Sequence, residues 1–134
     1  MYFLDTSYLL ALELKNDQYH EQAQQHWQKV LAMPPALLTT SYIFDEVVTF
    51  FNSRSAHEKA HSIGTTLLSS AFIQFVFVDE RLFHEGWVYF QQHTDKSYSF
   101  TDCVSFIVMR EQTITTALTF DHHFTQAGFQ REPN

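Results

Sequence analysis

The chain has 134 residues, 45% of them hydrophobic, which is enough to bury the core of one domain spanning residues 1–134. Only 3 Gly and 3 Pro interrupt it, favouring long helices over a sandwich of short strands, and no apolar run approaches the ~18 residues needed to cross a bilayer. The formal net charge of −7 excludes a nucleic-acid binder with a large basic face, except that four acids devoted to metal ions would leave 11 against 8 basic residues, a balance of −3.

Residues 1–5 form a short apolar run ending at Asp5, and residues 6–15 carry helix formers without a breaker, so a strand followed by a helix is predicted. "NDQYHEQAQQHWQKVLA" predicts a second helix with Asp17 as N-cap and Tyr19, Ala23, Trp27, Val30 and Leu31 facing inward, stopped by Pro34 and Pro35. "ALLTT" reads as a buried strand. It leads into a helix, "SYIFDEVVTFFNS", whose Ile43, Val47, Phe50 and Phe51 have helical spacing. Residues 56–69 form a further helix with Ala60, Ile63 and Leu67 inward and Gly64 at a close packing contact. "FIQFVFV", nearly continuous in apolarity, reads as a central strand buried on both faces.

Helices are predicted over 80–92 and 100–112, separated by the loop "TDKSYS". "TITTALTF" is a fourth strand, "DHHFTQ" a helical turn closed by Gly128, and "FQRE" an edge strand. Strands alternating with helices imply an α/β architecture: a mainly parallel sheet of about five strands with helices on both faces. Active sites of such sheets lie at the carboxyl ends of the strands. Asp5 follows the first strand and Asp121 the fourth, so both should open onto one edge.

Four acids stand out as candidates: Asp5, Glu46, Asp102 and Asp121. Each alone has a structural explanation. Asp5 and Asp121 stand where Asp is a favoured N-cap, worth roughly 1 kcal/mol, and Asp102 is three residues after Ser99, as in a capping box. Glu46 shares a helix side with Tyr42, Ile43 and Phe50, whereas Asp45 aligns with Ser41, Thr49 and Asn52 on a solvated side. Asp102 opens the apolar helix "SFTDCVSFIVM" in its first turn. Two acids at strand ends and two in early helical turns can converge on one hollow, where they repel one another unless a divalent cation joins them. Oxygen donors suit Mg²⁺ or Mn²⁺, and no thiolate or His spacing suggests zinc.

The stretches "FLDTSYLLAL", "TTSYIFDEVVTFF", "SFTDCVSFIVM" and "ALTFDHHFTQAGF" resemble, in order and approximate spacing, the four motifs of PIN-domain ribonucleases. The resemblance covers nearly the whole chain and is nearest to small single-domain members of the VapC toxin type, whose second helix has an opening similar to "DQYHEQA". It implies a PIN-like three-layer α/β/α sandwich and a metal-dependent endoribonuclease, the toxin of a type II toxin-antitoxin pair. Asp5, Glu46, Asp102 and Asp121 then correspond to the acidic metal site and catalytic set, with Thr6 and Ser99 at supporting hydroxyl positions. The partners implied are RNA, a small antitoxin lying over the helical surface, and a second copy in a homodimer. His122 stands where the family commonly has Arg or Lys.

Two rivals remain at this level. A non-catalytic PIN-like interaction module would keep the fold without the chemistry, and the intact set of four acids weighs against it. A haloacid-dehalogenase type of phosphohydrolase also begins with a strand ending in Asp, but needs a second Asp two residues later, where this chain has Ser7. Cys103 reads as a small core residue, and as the only cysteine it forms no internal disulfide. The eight His read mostly as exposed helix residues, with His122 and His123 as either phosphate contacts or turn residues. With no signal-peptide pattern at the start, the cytoplasm is the expected location.

Overall fold

In a computed structural model describing residues 1–134, five strands form one all-parallel sheet: β1 (Tyr2–Leu4), β2 (Leu37–Thr40), β3 (Ile73–Val76), β4 (Thr116–Leu118) and β5 (Gln130–Glu132). Their order is β3-β2-β1-β4-β5, so β1 is central, with Phe3 beside Leu38 on one side and Ala117 on the other. Seven helices complete the chain: α1 (Thr6–Glu13), α2 (His20–Ala32), α3 (Ser41–Ser53), α4 (His57–Ser69), α5 (Glu80–Gln92), α6 (Phe100–Glu111) and α7 (His123–Gln126). Right-handed crossovers put α1–α4 on one face and α5–α7 on the other. The packing of α1 on α2 and α3, of α3 on α4, and of α6 on α5 and α7 agrees with this. This is the three-layer α/β/α sandwich implied by the sequence.

The core forms where both faces of β1, β2 and β4 meet helices. Phe3, Leu38, Ala117 and Leu118 are fully buried, along with Tyr8, Ile43, Val47 and Phe106 from the helices above and below. Gly64 meets its expected close contact: a Cβ there would lie 3.1 Å from Cε2 of Phe44. Gly86 is tighter, with Val104 Cγ2 only 2.7 Å from where its Cβ would be, so the glycine sets the approach of α5 to α6.

Three expectations need correction. β3 is an edge strand rather than a central one: it pairs only with β2, Gln74 is exposed, and Phe72 and Phe77 beside it are exposed too. Its apolar run arises because Phe75 packs edge-on against Phe44 of α3 while the strand ends project beyond that cover. Asp17 does not cap α2. Its Oδ1 accepts the Tyr19 N–H at 2.8 Å, closing a turn before the helix begins, and Tyr19 and Leu31 end up exposed. Of the eight His, four (His20, His26, His93 and His123) are half-buried, each with a hydrogen bond through the ring.

Gly86→Ala should lower stability by about 1–2 kcal/mol, because the stiff Val104 side chain must yield more than the roughly 1 kcal/mol that alanine returns in helix propensity. Urea denaturation would measure it; unchanged or raised stability would mean the α5–α6 spacing is not set at this glycine.

Candidate metal centre

The parallel arrangement turns the carboxyl ends of β1 and β4 to one edge, and the helices leaving that edge begin there. A hollow of about 320 Å³ lies at this edge, lined by Asp5, Glu46, Asp102 and Asp121 together with Thr6, Ser7, Ser97, Ser99 and His123 among others. The structure thus brings together all four acids and both supporting hydroxyl residues named from sequence. Asp45 faces solvent and accepts a bond from Thr49 Oγ1.

Each acid is anchored through one oxygen. Asp5 follows β1 and its backbone N–H bonds Leu118 O at 3.1 Å, fixing it between strands. Its Oδ2 accepts from Thr119 Oγ1 (2.7 Å), Ser7 Oγ (2.9 Å) and, more weakly, the Ser7 N–H (3.4 Å), so it caps α1 but is held chiefly by hydroxyls. Glu46 Oε1 accepts from Thr6 Oγ1 at 2.6 Å, joining α1 to α3. Asp102 completes a capping box: its Oδ2 accepts the Ser99 N–H and its own N–H donates to Ser99 Oγ, both at 3.0 Å. Asp121 precedes α7 by two residues, and its Oδ1 accepts the His123 N–H at 2.9 Å. In all four the second oxygen makes no hydrogen bond to the protein, and none of these oxygens is sealed from solvent. Four carboxylates that line one hollow, each with an unengaged oxygen, offer donors of the kind a hard divalent cation takes.

Burial governs the electrostatics. Asp5 is 5% exposed, and its pKa is pushed up to about 6, first by burial and further by the charges of Asp102 and Asp121, against the pull of the Thr119 and Ser7 donors. Burial likewise raises Asp102, opposed by its bonds from Ser99 and by His123. The cluster is under electrostatic strain when it holds only its own carboxylates. Asp121, His122 and His123 place one potential ligand atom each within 4.8 Å of one another, and the four acids share the hollow at a wider spacing.

Sequence reasoning missed Ser7, Thr119, Ser97 and the inward position of His123. Ser7 Oγ and Thr119 Oγ1 lie 3.0 Å apart and also accept the N–H groups of Phe120 and Asp121, so they tie α1 to the turn carrying Asp121. The signal for Thr119 was present: two residues before Asp121 in an extended segment, it lies on the same side. Cys103 is fully buried, with its thiol pKa pushed up to about 11 by burial, as a core residue rather than a nucleophile.

A family model described as the PIN domain matches residues 2–130. Two curated relatives, both named 23S rRNA-specific endonuclease VapC20, come from Mycobacterium tuberculosis strains CDC 1551/Oshkosh and ATCC 25618/H37Rv. Each is 33% identical over 129 residues, covering 96% of this chain and 95% of the relative. The crystal structure of Mycobacterium tuberculosis VapC20, described as a sarcin-ricin loop cleaving toxin, matches with a TM-score of 0.85 at 31% identity, covering 96% of both chains.

Asp5→Asn should raise stability in chelator at pH 7 by up to about 3 kcal/mol. The folded pKa lies above the unfolded one, so the contribution of Asp5 is fully present below about pH 4 and lost as pH rises through about 6. The advantage of Asn should therefore vanish near pH 4. Denaturant titrations at both pH values check this; a clear loss of stability at pH 7 would mean that capping α1 is the whole role of Asp5.

Proposed function

The chain belongs to the PIN domain family, and on that premise we propose that it is a metal-dependent endoribonuclease, the toxin of a type II toxin-antitoxin pair, with the whole chain acting as one domain in the cytoplasm. The observation that carries the reading is the set of four carboxylates around one hollow, each anchored by one oxygen and leaving the other unengaged. Asp5, Glu46, Asp102 and Asp121 are the residues that would hold Mg²⁺ or Mn²⁺. When bound, such an ion places positive charge beside a phosphodiester and makes water a better nucleophile at neutral pH.

The residues of the chain supply position. Thr119 and Ser7 hold Asp5 against rotation, Thr6 fixes Glu46, and the capping box fixes Asp102 to the start of α6, so the acids keep their geometry with little reorganisation. The N-termini of α1 and α6 direct their dipoles at the same edge, which favours anionic groups there. RNA is the substrate class proposed, and the ribosomal substrate in the relatives' name makes 23S rRNA the first to test.

Two protein partners follow from the same reading. An apolar hollow of about 580 Å³ between α1, α2 and α4, lined by Leu9, Leu12, Trp27, Ile63 and Leu67, is where an antitoxin chain would lie. Exposed Phe83, Trp87, Val88 and Phe90 on α5 would serve a homodimer contact. No helix is long and apolar enough to cross a membrane.

Purified protein should cut RNA with Mg²⁺ or Mn²⁺ and not in chelator, and Asp5→Asn or Asp102→Asn should lower the rate by roughly a hundredfold or more. Gel analysis of end-labelled RNA measures it. Equal residual cleavage by wild type and variants would assign the activity to a contaminant and favour the interaction-module reading.

A further inference from the structure

His123 opens α7 and lines the hollow. Its Nε2 lies 3.2 Å from Ser97 Oγ, in the loop between α5 and α6. Its Nδ1 is closed off from solvent and has no hydrogen-bond partner, although Asp121 Oδ1 is 3.1 Å away and Asp102 Oδ2 is 3.3 Å away. Both oxygens already accept from backbone N–H groups, those of His123 itself and Ser99, and neither meets Nδ1 at a hydrogen-bonding angle.

Leaving a buried nitrogen unsatisfied costs about 1–3 kcal/mol. In the tautomer whose Nε2–H donates to Ser97 Oγ, Nδ1 presents a bare lone pair beside two carboxylates, an arrangement that is repulsive until a cation joins it. A ligating histidine characteristically passes its other ring N–H to a fixed acceptor, the part Ser97 Oγ is placed to play. His122 is the natural control: its side chain is 67% exposed, with Nδ1 3.8 Å from Asp121 Oδ1.

We propose that His123 Nδ1 is a ligand of the divalent ion held in this hollow, giving a mixed nitrogen and oxygen donor set that biases the site toward a transition ion such as Mn²⁺ over Mg²⁺. The assignment rests on the metal-dependent reading above and adds a nitrogen donor to its four carboxylates. Mg²⁺ is a hard ion that seeks oxygen and retains water, whereas imidazole suits transition ions, so the extra ligand discriminates between them.

The test is electron spin-echo envelope modulation on chelator-treated protein reloaded with Mn²⁺. A ¹⁴N modulation is expected, converted to the ¹⁵N pattern by ¹⁵N-histidine labelling, lost in His123→Gln and retained in His122→Gln. By calorimetry, His123→Gln should weaken Mn²⁺ binding about tenfold or more and Mg²⁺ binding less than about threefold. Mn²⁺ bound without nitrogen modulation, or modulation lost in His122→Gln instead, overturns the assignment and leaves the carboxylate site intact. Failure of the wild type to bind either ion removes the carboxylate site and this assignment with it. Should His123→Gln not fold, the isotope conversion in wild type together with His122→Gln decides.

Discussion

A carboxylate buried at the end of the central strand is the constraint on which the rest of the structure depends. Asp5 stands just past β1 and is only 5% exposed, and β1 is held in place between β2 and β4. Burying that charge is tolerable only with donors arranged around it. The donors are the hydroxyls of Ser7, in the first turn of α1, and Thr119, just past β4. Placing β4 beside β1 is thus a packing solution for Phe3 and Ala117 and also the means by which Thr119 arrives at Asp5.

The same economy recurs in the other acids. Each is held by a group near in sequence or on an adjacent helix, and each keeps one oxygen for the hollow. The arrangement separates the two demands on a carboxylate: one oxygen serves the fold and the other remains for chemistry. Helix N-termini at this edge favour anions, yet burial first and the neighbouring carboxylates second still push Asp5 and Asp102 upward. A site built this way gains from a bound cation twice, through ligation and through relief of strain already present in the fold.

Much of this was legible in the sequence because it follows from local rules. Strand followed by helix, repeated, gives the parallel sheet; strand ends give the edge; and the spacing of Ser99 and Asp102 gives the capping box. The four acids and their common edge follow from those elements. What was not legible depends on orientation between elements. Whether "FIQFVFV" lies at the centre or the edge depends on how many neighbours the topology supplies, and continuous apolarity does not distinguish two-sided burial from cover by Phe44 on one side. Asp17 preceded a helix as a cap should, but its side chain found the Tyr19 N–H first. His123 sits on a four-residue helix with no periodic pattern to read, and its inward turn is set by Ser97 and by stacking edge-on against Tyr98.

The distribution of positive charge bears on how a nucleic acid would be held. Arg81 is committed to Glu111 and Glu85, Lys59 to Glu13, and Lys96 to Asp95. Arg131 bonds Thr125 Oγ1 and Phe120 O, while Arg54 and Arg110 lie over the rings of Phe50 and Tyr89. That engages six of the 8 basic side chains within the fold, three of them with surface acids, and leaves Lys15 and Lys29 as the remaining two. On the ribonuclease reading, attraction for phosphate must then be concentrated at the acidic hollow once it holds a cation. An RNA segment would be selected by whether its shape lets a backbone phosphate enter there, more than by long-range charge. The net charge of −7 and a nucleic-acid substrate are compatible for that reason: four of the 15 acids that make the chain negative are the ones that would recruit the positive charge.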